Sequence, residues 1–188
     1  MGKKLLEPGT VLSPTPVVLV TVQGADERPN IITLAWVGIV SSGPPMMSIS
    51  IRSSRHSHKL IEESAAFVIN IPPEKLVRET DYCGVVSCRK EDKFEGAGLT
   101  PVPAEKVNAP LILECPVNIE CEVRQTLRLG AHDMYLGEVV AVHADEEVVQ
   151  DGGLNIAMIR PLVFCPGDAQ YWNLGTVIGS YGFTKGKL

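Results

Sequence analysis

The chain has 188 residues, with 17 Lys and Arg against 22 Asp and Glu, a net charge of −5 and 45% apolar residues. That length suits one domain, residues 1–188, which buries roughly 70% of its unfolded surface, and the acidic balance argues against nucleic acid as a partner. No apolar run approaches the ~20 residues of a membrane span, and the start, Met1-Gly-Lys-Lys-Leu-Leu-Glu-Pro8, lacks the apolar stretch of a secretion signal, so a soluble, cytoplasmic protein is expected.

In chain order, Pro16–Val22 predicts a first strand, Gly24–Pro29 a hairpin loop and Asn30–Val37 the returning strand. Gly43-Pro44-Pro45 turns the chain into a strand over Met46–Arg52. A short helix carrying Leu60 and Ile61, capped by Ser57, follows and ends near Ser64. Ala66–Ile71 is a fourth strand. Pro72-Pro73 starts a helix with Leu76 and Val77 on one face, and 81–110 is charged and loop-like. Pro116–Arg124 alternates strictly, Met134–His143 is a long apolar strand, and Pro161–Phe164 is the last. Many strands with a few short helices predict a mainly β (α+β) barrel or sandwich.

The five cysteines (Cys83, Cys88, Cys115, Cys121, Cys165) have neither zinc-knuckle spacing nor accompanying histidine pairs, so no metal site is expected. Reduced thiols packed as small hydrophobes account for Cys115, Cys121 and Cys165; Cys83 and Cys88, among polar neighbours, stay open.

The chemistry concentrates in Ser48–Lys59. Along a strand Ser48, Ser50 and Arg52 share one face. Residues 52–59 then bring three positive charges, two histidines, three serines and no acid to the start of a helix. A helix N-terminus with hydroxyls and guanidinium groups beside it is suited to phosphate; the alternative is a solvated polar turn with an ordinary cap. The glycine fingerprints of dinucleotide and P-loop sites are absent from the sequence, as is the Gly-x-Ser-x-Gly elbow. Phosphate held at a barrel rim remains.

Taken in order, Asn30-Ile-Ile-Thr33-Leu34-Ala35-Trp36, Ser41-Ser42-Gly-Pro44-Pro45-Met46, Ser48–Ile61, Phe67–Pro72, Asp81-Tyr-Cys83-Gly84, Asp92–Glu95, Gly130–Val139 and Tyr171–Gly175 resemble the flavin reductase-like, FMN-binding split-barrel family, nearest its flavoredoxin and ferric-reductase branch. The resemblance spans about residues 10 to 180. It implies an antiparallel Greek-key split β-barrel that dimerises with FMN at the subunit interface. Thr33, Leu34, Ala35 and Trp36 would lie along the flavin ring. Ser50, Ile51 and Arg52 would flank the ribityl chain, and Arg55, His56, Ser57 and Lys59 would close on the phosphate. Cys83 and Gly84 are further cofactor contacts by the same resemblance.

His132, at a strand start by the barrel mouth, is either the catalytic residue meeting nicotinamide or substrate, or a structural hydrogen-bonding histidine. Ala131 precedes it where the family has glycine. His143 reads as structural or surface, His58 as exposed helix surface, and Lys93 as an ion-paired loop residue. Implied is an FMN-dependent oxidoreductase taking electrons from NADH or NADPH to a flavin, ferric complex or protein acceptor. The alternative is a non-catalytic FMN electron carrier served by a redox partner protein. A domain that holds a phosphate ligand without redox chemistry is the third option. Pro116–Arg124 and Tyr171-Trp172 are the expected interface elements of the homodimer.

Overall fold

A computed structural model describes residues 2–25, 27–88 and 91–185. Seven strands form one antiparallel sheet: β1 (Val18–Val22), β2 (Asn30–Leu34), β3 (Val37–Ser42), β4 (Pro45–Ile51), β5 (Ala66–Ile71), β6 (Val117–Arg128) and β7 (Asp133–Ala144). Their order is β2-β1-β5-β6-β7-β4-β3. β2 and β3 are thus opposite edges of the sheet, yet only Ala35 and Trp36 separate them in the chain. A sheet whose two edges are tied by two residues has to curl, and the right-handed twist of its strands permits it. The edges meet at this junction, where Ser50 N–H donates to Trp36 O at 2.9 Å. The barrel is split there. Among the described residues no helix is long and apolar enough to cross a membrane.

The expected single strand Asn30–Val37 is therefore two strands on two edges, and Val37 begins the second. The inward face packs Val20, Ile32, Ile49, Phe67 and Tyr135 with Leu60 and Ile61 of helix α1 (His56–Ser64) into the main core. Ser57 does not cap this helix. Arg55 occupies the N-cap position, and Ser57 is buried in the first turn, its Oγ accepting from Asn30 Nδ2 at 2.7 Å. Helix formation began two residues early because the turn closed by Arg55 N–H on Arg52 O already aligns the backbone.

The other face of β1 and β2 is covered by a second core that contains Leu19, Ile31, Cys83, Phe94 and Ile112. Two helices supply it: α2 (Val77–Val85), entered through a 3-10 turn at Glu74–Leu76, and α3 (Lys93–Ala97). Part of the expected 81–110 loop is thus helical. Asp92 caps α3 by accepting from the N–H groups of Phe94 and Glu95. β6 is central, paired with β5 on one side and β7 on the other, and much of Pro116–Arg124 is buried within this chain. The exposed apolar side chains of the sheet are Ile39, Val40 and Val142. Near the C-terminus, β8 (Val163–Cys165) and β9 (Gln170–Trp172) form a small sheet with Thr15–Pro16.

Candidate functional site

A cavity of about 490 Å³ opens at the split. Its floor is the β2–β3 junction, Thr33, Leu34, Ala35 and Trp36; one wall is the end of β4, Ser50 and Ile51, continued by Arg52. Gly84 and Asp81 of α2 form the opposite wall, and Phe164 and Tyr171 of the small sheet close the outer end. Gly84 is small for a reason: a Cβ there would sit 3.3 Å from Thr33 Cβ. Thr33 is held from the same helix, its hydroxyl donating to Thr80 O at 2.5 Å. Trp36 is 40% exposed, and its indole lies parallel to the imidazole of His132, with ring centroids 6.3 Å apart. His132 immediately precedes β7 and lines the cavity, as its position at the barrel mouth predicts.

A second, smaller cavity of about 120 Å³ adjoins the first, sharing Arg55 and Ile32. It is bounded by the first turn of α1 (His56, Ser57), by Ser54, and by Ser87 and Cys88 beyond α2. Among the described residues no carboxylate lines it. Two features went unread in the sequence. Lys93, expected as an ion-paired loop residue, is 6% exposed and donates Nζ–H to Ile31 O at 2.9 Å and Cys83 O at 2.8 Å. It makes no ion pair among the described residues, and burial pulls its ammonium pKa below the usual lysine range. The hydrophobic Phe94 beside it, which anchors α3 in the core, was the available signal. Asn30 is the other: its Oδ1 is buried without a hydrogen-bond partner while its Nδ2 holds Ser57. Asn30 and Ile32, two apart on β2, face this cavity together.

Two of the expected site residues, Lys59 and Cys83, line neither cavity. Lys59 is exposed and paired with Glu27 at 2.8 Å and Glu63 at 3.3 Å, because the helix turns it away from the small cavity. Cys83 lines neither cavity: its thiol is buried in the second core, which pushes it up to about 11, and only its carbonyl participates, holding Lys93. His56 lines the small cavity, with Nε2 2.8 Å from Glu27. His58, expected on exposed helix surface, is largely covered and bonded to Asp133. His143 is held by the buried Glu120.

A mixed polar and apolar cavity joined to a smaller pocket lined by Arg55, His56 and Lys93 at a helix start suits a ligand with a ring system at one end and a phosphate at the other. The same fold recurs in known proteins. The flavoredoxin of Desulfovibrio vulgaris (Miyazaki F) superposes with a TM-score of 0.91 at 38% identity, over 98% of this chain and 100% of that one. A flavoredoxin from Methanosarcina acetivorans gives 0.91 at 30% identity, with both chains covered completely. An uncharacterised protein of Archaeoglobus fulgidus is 38% identical over 120 residues, 63% of this chain and 68% of that one. Residues 11–173 match the family model described as flavin reductase like domain. With its curled split barrel and a match covering most of its length, the chain belongs to the flavin reductase-like domain family.

Proposed function

We propose that the chain binds FMN, with the flavin ring in the larger cavity against Thr33–Trp36 and His132 and the phosphate in the smaller one, and that it works in electron transfer. The single observation that carries this is the junction of the two cavities through Arg55, with the unpartnered Asn30 Oδ1 and the buried cation of Lys93 facing the small one. Asn30 Oδ1 would accept a hydrogen bond from a hydroxyl of the ligand. Lys93 and Arg55 supply charge-assisted hydrogen bonds to the phosphate, and the α1 N-terminus adds its partial positive charge. Arg52, Ser50 and Ile51 border the span between the two ends. The flavin supplies the redox chemistry when bound, and the protein contributes orientation, hydrogen bonds and access.

Comparing FMN with riboflavin isolates the phosphate pocket. Titration of apoprotein with each is expected to favour FMN. Arg55→Ala and Lys93→Met should each weaken FMN by about 1.5–3 kcal/mol, roughly 10–100-fold, and leave riboflavin nearly unchanged. Equal loss for both ligands would remove the phosphate assignment. The electron donor is proposed to be NADH or NADPH, supported by the half-exposed Trp36 that stacks on His132 at the larger cavity. Anaerobic bleaching of flavin absorbance by either nucleotide marks a reductase; a spectrum that only a reduced protein changes marks the carrier alternative. A homodimer with shared FMN sites is proposed as well. It is supported by the half-exposed Trp36 at the cavity and the exposed Ile39 and Val40 on the adjacent edge strand.

A further inference from the structure

Outside the two cavities, α1 and β7 bring one imidazole and two carboxylates together. His58 and Glu62, four residues apart, rise on one side of α1. Asp133 opens β7 opposite Ile51 of β4. One ligating atom from each of the three lies within 4.8 Å of the other two. Asp133 is buried, and His58 Nε2 stands 2.7 Å from its Oδ2. Tyr135 braces the cluster twice. Its ring meets the His58 imidazole edge-on at 5.7 Å, and its hydroxyl donates to Glu62 Oε1 at 3.1 Å. On the solvent side, among the described residues, stands the cation of Arg128. Its guanidinium is 3.6 Å from Asp133 Oδ2 and 3.8 Å from Glu62 Oε2, beyond good hydrogen-bond range, on a side chain that is 73% exposed.

We propose that His58, Glu62 and Asp133 form a binding site for a divalent transition-metal ion of the zinc type, with Arg128 as the counter-ion that withdraws when the ion enters. Imidazole with two carboxylates favours zinc, cobalt or nickel over calcium and magnesium, which take oxygen ligands throughout. Ligand bonds of about 2.0–2.2 Å set ligand atoms about 3.3–3.6 Å apart around a tetrahedral ion. Shifts of roughly an ångström therefore suffice: His58 and Asp133 part slightly and Glu62 draws in. His58 binds through Nε2 as neutral imidazole with its proton on Nδ1; an imidazolium releases its second proton to solvent on binding. Water fills the fourth position. The hydroxyl of Tyr135 orients Glu62 in the manner of an outer-shell partner. The ion ties α1, whose first turn borders the small cavity, to the strand that begins directly after His132.

Calorimetric titration of the FMN-saturated full chain with zinc, and the visible absorption of the cobalt form, test the site. Saturable uptake of one ion per chain is expected. His58→Ala and Asp133→Asn should abolish it, Tyr135→Phe should weaken it about tenfold, and Arg128→Ala should tighten it. Flavin absorbance retained in each variant shows that the barrel is folded. The same titration without added flavin keeps the result independent of FMN binding. Absence of saturable uptake in both the wild type and Arg128→Ala overturns the proposal, as does uptake unchanged in His58→Ala. Should Asp133→Asn fail to fold, the exposed Glu62→Gln decides: unchanged uptake overturns the site, and loss supports it.

Discussion

Glu120, outside the cavities, is constrained from several directions. It is fully buried on β6, and its carboxylate accepts from the backbone N–H groups of Glu105, Lys106 and Val107 as well as from His143 Nε2. Burial alone raises a carboxyl pKa, but here the three N–H groups and the imidazole outweigh it and hold Glu120 below the ordinary value. A depressed folded-state value contributes stability that is present above the unfolded pKa and disappears as pH falls through the folded one. Glu120→Gln keeps the shape but loses charge-assisted bonds, each worth about 1.5–3 kcal/mol. Urea denaturation at neutral pH is expected to show a loss of at least that order. The gap between variant and wild type should shrink on acidification below the ordinary glutamate range, and a gap that widens in acid would contradict the assignment.

At the scale of elements, β7 succeeds because one position on it has no side chain. A register shift in the β6–β7 pairing falls between Leu136 and Gly137. A Cβ at Gly137 would sit 2.6 Å from Phe67 Cζ and 2.9 Å from Cys121 Cβ. Phe67 is fully buried in the main core and has no room to retreat. Gly137→Ala should therefore destabilise by about 1–3 kcal/mol, as overpacking does. Combining it with Phe67→Leu should recover part of the loss, giving a coupling that chemical denaturation of the four proteins measures. A second element-level device is polar. Asn70 of β5 donates to Leu19 O on β1 at 2.9 Å and accepts from Ile112 N–H and Asn118 Nδ2, which fixes β1, β6 and the 111–112 segment around one buried amide.

For the whole molecule, the split places the candidate site beside an uncovered edge. β3 is an edge strand with Ile39 79% and Val40 48% exposed, and exposed apolar edges invite pairing with another chain. If the homodimer covers this edge, Ile39→Glu should shift sedimentation equilibrium from twice 20.3 kDa toward the single-chain mass. The same variant should weaken FMN, because Trp36 adjoins that strand. A variant that stays dimeric with unchanged flavin affinity would place the interface elsewhere.

The strand-rich character and the polar, acid-free run of Ser48–Lys59 were legible in the sequence because each depends on neighbours along the chain, while the place of Thr33–Trp36 was implied by the family resemblance. Alternation of side chains, proline and glycine punctuation, and a run of like charges before a helix are local signals. Several features were not legible: Lys93 as a buried cation, Asn30 with an open acceptor, the pairing of His58 with Asp133, and the exclusion of Lys59 and Cys83 from the cavities. Each depends on groups that meet across long separations, such as the 62 residues between Lys93 and Ile31 or the 75 between His58 and Asp133. The sequence by itself determined a strand-rich chain with a polar, basic stretch over Ser48–Lys59. Only the closure of the sheet at Ala35–Trp36, which sets two edges and two helices around one gap, decided which side chains line the cavities and which serve the core.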